Sequence, residues 1–191
     1  MLRRWLGSLS GRNDPHEEIA ARLYAKAVGR AREPALYRDW SVPDTVDGRF
    51  DAIALHVWLI LRHLRGKGEN AESLAQALFD VFMGDMDRSL REMGAGDLGV
   101  GKRVKAMAQA LMGRIKAYDE GLAAGDGRTL ADALKRNLLR GVDPERAEVA
   151  AAEIARYVVA SAAALDKADL AKALGGEIDF GTGLPSPTDM V

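Results

Sequence analysis

The sequence contains no cysteine among its 191 residues. That excludes disulfide frameworks, thiol nucleophiles, zinc–thiolate sites and iron–sulfur ligation together. Charge of one sign is not in excess either: 27 basic residues face 28 acidic ones, for a formal charge of −1. General nucleic-acid binding, which needs a strong positive field, is not expected from that balance. Long apolar runs are missing. The longest, Ala52–Leu61, already contains His56 and as a helix would rise only about 15 Å, half of a bilayer's ~30 Å core. β-branched residues are scarce, since Val, Ile and Thr together number 22 against 32 Ala and 23 Leu. That excess of unbranched helix formers predicts an all-α protein.

What is present is globular: 48% hydrophobic and 29% charged residues, at a length that suits one domain and buries a core without staples. Helix punctuation predicts a single-domain bundle of about six to eight helices over residues 14–175, with a short basic segment 1–13 and a flexible tail 176–191. Met1-Leu2-Arg3-Arg4-Trp5-Leu6 lacks the apolar region and cleavage site of a secretory signal. It reads either as a frayed start or as a weak interfacial foot on an anionic leaflet.

Asp14-Pro15-His16-Glu17 offers a cap, a proline at the first helical position and an early carboxylate, opening a helix that Pro34 stops. A short turn around Leu36–Trp40 and a proline-fixed bend precede a helix from Asp44 or Thr45, with Gly48 placed to admit a close neighbour. Ile53, Val57, Ile60, Leu61 and Leu64 follow a 3.6 period while Leu55, Trp58 and Leu59 fill the other side, as in a helix buried mid-bundle. Asn70 is expected to cap the next helix, with Leu74, Leu78, Phe82, Met86, Leu90 and Met93 on its apolar face. Val100, Val104, Met107, Leu111, Ile115 and Tyr118 mark another long helix. Leu130, Leu134 and Leu138 mark a shorter one. Asp143-Pro144-Glu145 opens an alanine-rich helix with Val149, Ile154 and Val158 inward, and residues 166–174 add a last short helix.

Chemistry is sparsely signalled. His56 and His63 lie two turns apart, about 10.5 Å along a helix, and cannot share an ion unaided; neither has a carboxylate three residues before it. His56 reads as a hydrogen-bonded core residue, or else His56 or His63 as a haem ligand. With three histidines and no Gly-x-Ser-x-Gly elbow, no hydrolytic triad is expected. Gly96 to Arg103 fails the phosphate-loop pattern at Arg103. Catalysis, a bound cofactor and a metal site are therefore not expected.

Two features remain. Five of the seven methionines fall at Met83, Met86, Met93, Met107 and Met112. They either fill gaps between two packed helices or line a surface that grips varied apolar partners. Asp80, Asp85 and Asp87 crowd one helix while Lys102, Arg103, Lys105, Arg114 and Lys116 crowd the next. They either pair and face water or rim an apolar groove.

These regions resemble the ubiquinol–cytochrome c chaperone family. The strings that carry the resemblance are Leu36-Tyr37-x-Asp39-Trp40-x-Val42-Pro43-Asp44-Thr45-x-Asp47-Gly48-Arg49-Phe50-Asp51 with Leu55-His56, then Asp85-Met86-Asp87-x-x-Leu90-Arg91-Glu92-Met93-Gly94, Asp97-Leu98-x-Val100-x-Lys102, and Gly113-Arg114-x-x-Ala117-Tyr118. Leu111-Met112 depart from the aromatic pair the pattern leads one to expect. The resemblance implies an all-helical, non-enzymatic chaperone that holds newly made cytochrome b during assembly of the bc1 complex. It also implies a small helical co-chaperone in mitochondrial members. For a bacterial member it implies a cytoplasmic location with at most peripheral contact with the inner membrane. A client- or partner-binding surface is expected at Trp40, Arg49, Met83, Asp85, Met86, Asp87, Arg91, Lys102 and Arg103, with Trp40 and Arg49 equally readable as a fixed bend that clamps the helices. The alternative is a bundle that handles haem or quinone and delivers it to a respiratory membrane protein.

Overall fold

The computed structural model describes residues 15–92 and 97–181. Among them are eight helices and no strand: α1 Pro15–Ala31, α2 Pro34–Arg38, α3 Val46–Leu64, α4 Glu69–Glu92, α5 Asp97–Ala124, α6 Arg128–Leu138, α7 Pro144–Lys167 and α8 Leu170–Leu174. The all-α bundle expected from composition is what forms. The basic segment 1–13, Asp14, Met93, Gly94 and residues 182–191 lie outside the described residues.

Local chemistry sets the helix starts. The Thr45 hydroxyl accepts from the Gly48 amide at 3.1 Å, capping α3. One Asp143 oxygen accepts from the Glu145 and Arg146 amides at the head of α7, with Pro144 in the first turn. Asn70 does not cap α4. The helix begins one residue earlier, behind Gly68 at φ +95°, and the Asn70 side chain instead meets His16 of α1 at 2.6 Å.

The centre is α3. Its Ala52, Leu55, Val57, Trp58, Leu59 and Ile60 are at most 1% exposed, and it contacts α1, α4, α5, α6 and α7. α1 lies across α3 and α4, and α5, α6 and α7 follow as successive neighbours. Two glycines let helices and bends approach closely. A Cβ on Gly48 would sit 2.0 Å from the Pro43 carbonyl oxygen, and one on Gly121 would sit 2.6 Å from Leu130 Cα. The alanine-rich α7 packs through Ala147, Ala150, Ala151, Ala155 and Ala162. Val149, expected to face inward, is 67% exposed because those alanines take the inward positions.

The packed unit continues past the expected boundary at residue 175. The Glu177 amide closes onto the Lys172 carbonyl at 2.9 Å, with Gly176 at φ +84°. Phe180 then tucks in at 6% exposure, edge-on to His56 at 5.3 Å. An aromatic anchor thus holds residues 176–181 against α3, where a flexible tail was expected.

Candidate functional site

The bend before α3, the first turn of α3 and the α4–α5 pair carry every residue expected to meet a partner, and the structure separates them into three environments. Trp40, Met83 and Met86 are buried, at 3%, 4% and 6% exposure. Trp40 packs its ring 5.6 Å from Tyr157 of α7, so the reading as a clamp on the bend is the one this geometry gives. The Met83–Met86 side of α4 turns inward with Phe82, whose ring lies 5.9 Å from Tyr24 of α1 and 5.7 Å from Phe50 of α3. Of the two readings of the methionines, Met83 and Met86 follow the gap-filling one, because that apolar face is already spent on the core. Met107 is half-buried, and Met112 stands 46% exposed.

The second environment is charge already satisfied nearby. Arg49 donates to Asp44 at 2.6 Å, both exposed. Asp87 accepts from Arg91 one helical turn on, at 2.7 Å. Asp85 accepts from the Tyr24 hydroxyl at 2.8 Å and lies 3.8 Å from Arg88. Burial and the Asp85 carboxylate both push the Tyr24 hydroxyl well above the ordinary phenol value. Asp80 accepts from Gln76. The acids of α4 thus find partners on α4 and α1. The third environment is charge left over: Lys102, Arg103 and Lys105 project from α5 with no ion pair among the described residues.

Arg114 is not part of that outward set. It is 6% exposed and donates to Asp51, itself 1% exposed, while Arg140 donates to the other oxygen of Asp51 at 2.8 Å. The Arg114 guanidinium also lies 5.3 Å from the Phe50 ring centre. Burial pushes the Asp51 carboxyl upward and the two guanidiniums pull it back. Such a buried pair is costly to break, about 3–5 kcal/mol when one partner is removed, because the other charge is stranded. Asp51 and Arg114 each sit inside a string that carries the resemblance, yet neither was expected as a structural tie. A signal was available: Arg114 lies three residues from Leu111 and four from Tyr118, both on the apolar face of α5.

His56 is wholly buried. Its Nδ1–H donates to the Ala52 carbonyl at 2.8 Å, leaving Nε2 to accept from the Tyr157 hydroxyl at 2.9 Å, which in turn accepts from Arg30 at 3.0 Å. Burial lowers its pKa to about 4, in keeping with a neutral ring. Both nitrogens are committed, so His56 has none to offer an iron, and the core reading replaces the ligand reading. His63 is buried beside Lys67, which approaches its Nδ1 at 3.1 Å. Among the described residues, no three His, Asp or Glu side chains are grouped to hold a metal, and no helix is long and apolar enough to cross a membrane.

A family model described as Ubiquinol-cytochrome C chaperone matches residues 38–180, from the bend through Phe180. The chain belongs to this family. Relatives of this chaperone fold include ubiquinol-cytochrome-c reductase complex assembly factor 1 of Xenopus laevis, 30% identical over 83% of this chain and 78% of that protein. The protein of the same name from Homo sapiens is 26% identical over 68% of this chain and 44% of its own length. The crystal structure of the Cbp3 homolog from Brucella abortus superposes with a TM-score of 0.77 at 35% identity, covering 87% of this chain and 91% of that one. The chain spans about half or less of the Drosophila, mouse and human relatives.

Proposed function

We propose that this chain is a non-enzymatic assembly chaperone of the bc1 complex, and that its client is newly made cytochrome b, held from the cytoplasmic side. The observation that carries the reading is the family match through residues 38–180, the span that contains both the buried tie of α3 to α5 and the α4–α5 arm. The arm is the client-facing part. Asp85, Asp87, Arg91, Lys102 and Arg103 supply its polar surface, Arg49 at the start of α3 is a further client contact, and Lys102 and Arg103 have no ion pair among the described residues. Unfinished integral-membrane subunits present apolar helices with charged loop ends, which suits a surface of this kind.

Met83 and Met86 contribute by opening, while Trp40 clamps the bend against Tyr157 of α7. Gly84 in α4 and Gly99, Gly101 and Gly113 in α5 have nothing within 4 Å of a Cβ position. Glycine inside a helix costs roughly 1 kcal/mol against alanine, and no packing requirement explains it at these four. The arm is thereby weakened where it covers the methionines, and client binding draws on that weakness to uncover them. A small helical co-chaperone would share this arm.

Co-purification of cytochrome b tests the assignment. Asp87→Lys and Lys102→Glu variants with wild-type melting temperatures are expected to lose capture, and undiminished capture would remove this surface from the reading. Hydrogen exchange faster in the Met83–Glu92 and Val100–Leu111 amides than in α3, and slower with client bound, is the companion expectation for opening.

A further inference from the structure

Among the described residues one face of α5 has no partner, and its chemistry selects one outside. Between Asp97 and Asp119 the helix carries no acid. Its cations there are Lys102, Arg103, Lys105, Arg114 and Lys116, and only Arg114 turns inward. At 100° per residue, Lys102, Lys105 and Lys116 fall within a sector of about 60° that ends at Glu120, and Arg103 points about 100° away from Lys102. Lys102 and Lys116 are about 21 Å apart along the axis. Lys116 lies 3.8 Å from Glu120, and the other three have no ion pair among the described residues. The exposed residues between them, Ala106, Gln109 and Gly113, are uncharged, and Met112 stands out beside the lysine stems.

We infer that this outward face of α5 docks the chain onto an anionic lipid bilayer. A straight, level row of cations matches a sheet of headgroup charge, long lysine stems reach it while their methylenes lie along the interface, and the exposed Met112 supplies one apolar contact below it. The aromatic residue of α5, Tyr118, is fully buried, so no ring is available to stack a nucleobase. The inference deepens the chaperone reading by stating where the arm sits, and vesicles free of any client test it separately from that reading.

The full chain is floated with phosphatidylcholine vesicles and with phosphatidylcholine–phosphatidylglycerol vesicles. Binding is expected only to the second, and it weakens as salt is added. Each lysine near such a surface is worth about fivefold in partition, so Lys102→Glu, Lys105→Glu and Lys116→Glu together are expected to lower it at least about a hundredfold. Arg128→Glu, Arg136→Glu and Lys172→Glu together change net charge equally on exposed positions elsewhere and should lower it far less. A triple Lys→Gln variant at the same α5 positions serves if the reversals melt early. Three results would each overturn the assignment: no binding to anionic vesicles, equal loss in the two triple variants, or capture of duplex RNA through these lysines while vesicles bind nothing.

Discussion

α3 and α5 are both long helices carrying members of the same family strings, yet they spend their polar residues in opposite ways. α3 buries Asp51, His56 and His63 and surrounds the first two with Arg114, Arg140, Tyr157 and the Ala52 carbonyl. α5 surrenders Arg114 to that centre and leaves Lys102, Arg103 and Lys105 outside with no ion pair among the described residues. Buried polar groups must be satisfied or they destabilise, so the α3 set is tied to fold. Exposed lone cations cost the fold little and are free to meet something else. Residues that mark one family are therefore divided between holding the bundle together and facing outward.

The comparison breaks most sharply at Arg114. Arg114→Ala should cost about 3–5 kcal/mol in urea unfolding, since Asp51 is left buried with only the half-exposed Arg140. Lys102→Ala and Lys105→Ala should each stay within about 0.5 kcal/mol. A mild Arg114→Ala would mean the tie is not structural, and the division between the two helices would fail.

Next in size is pH. His56 is held neutral with its pKa lowered to about 4 from an ordinary 6.5. The unfolded chain therefore binds the extra proton first, and stability is fully present above pH 6.5 and falls as pH drops toward 4. The loss from this one ring is on the order of 3 kcal/mol at the acid end. Asp166 and the exposed Asp44 and Asp126, each held below the ordinary carboxylate value by hydrogen bonds from Arg62, Arg49 and Thr129, add loss only at lower pH. Urea midpoints from pH 7.5 to 4.5, compared with a His56→Gln variant, check this. An equally steep fall in the variant would assign the titration elsewhere.

The smallest effects sharpen the comparison inside α5 itself. Gly121→Ala places a methyl against Leu130 backbone and should destabilise by about 1–3 kcal/mol. Gly113→Ala meets open space and should stabilise by about 0.5–1 kcal/mol, while reducing client capture by stiffening the arm. A Gly113→Ala variant that gains stability and captures as well as wild type would detach arm weakness from function.

Much of the architecture was legible from periodicity and punctuation. Pro15, Thr45, Pro144 and the 3.6-period apolar rows place α1, α3, α4, α5 and α7 nearly where they form. What misled was orientation where two patterns overlap. Methionines at helical spacing suit a groove and a core equally, and only the presence of α1 over α4 decides that Met83 and Met86 are core. Arg114 counts as one more cation by composition, and its burial depends on Asp51 arriving from a helix sixty-three residues away. Phe180 looked like part of a tail because no local pattern announces an anchor whose socket is His56.

Helical character, helix ends, the lack of thiol chemistry and the acid-free stretch of α5 follow from the sequence alone, because each is read from residue identities and neighbours a few positions apart. Which polar residues are ties and which are free was decided by tertiary packing. The reason is physical: a charge becomes costly or inert according to the water left around it, and the folded chain alone determines how much remains.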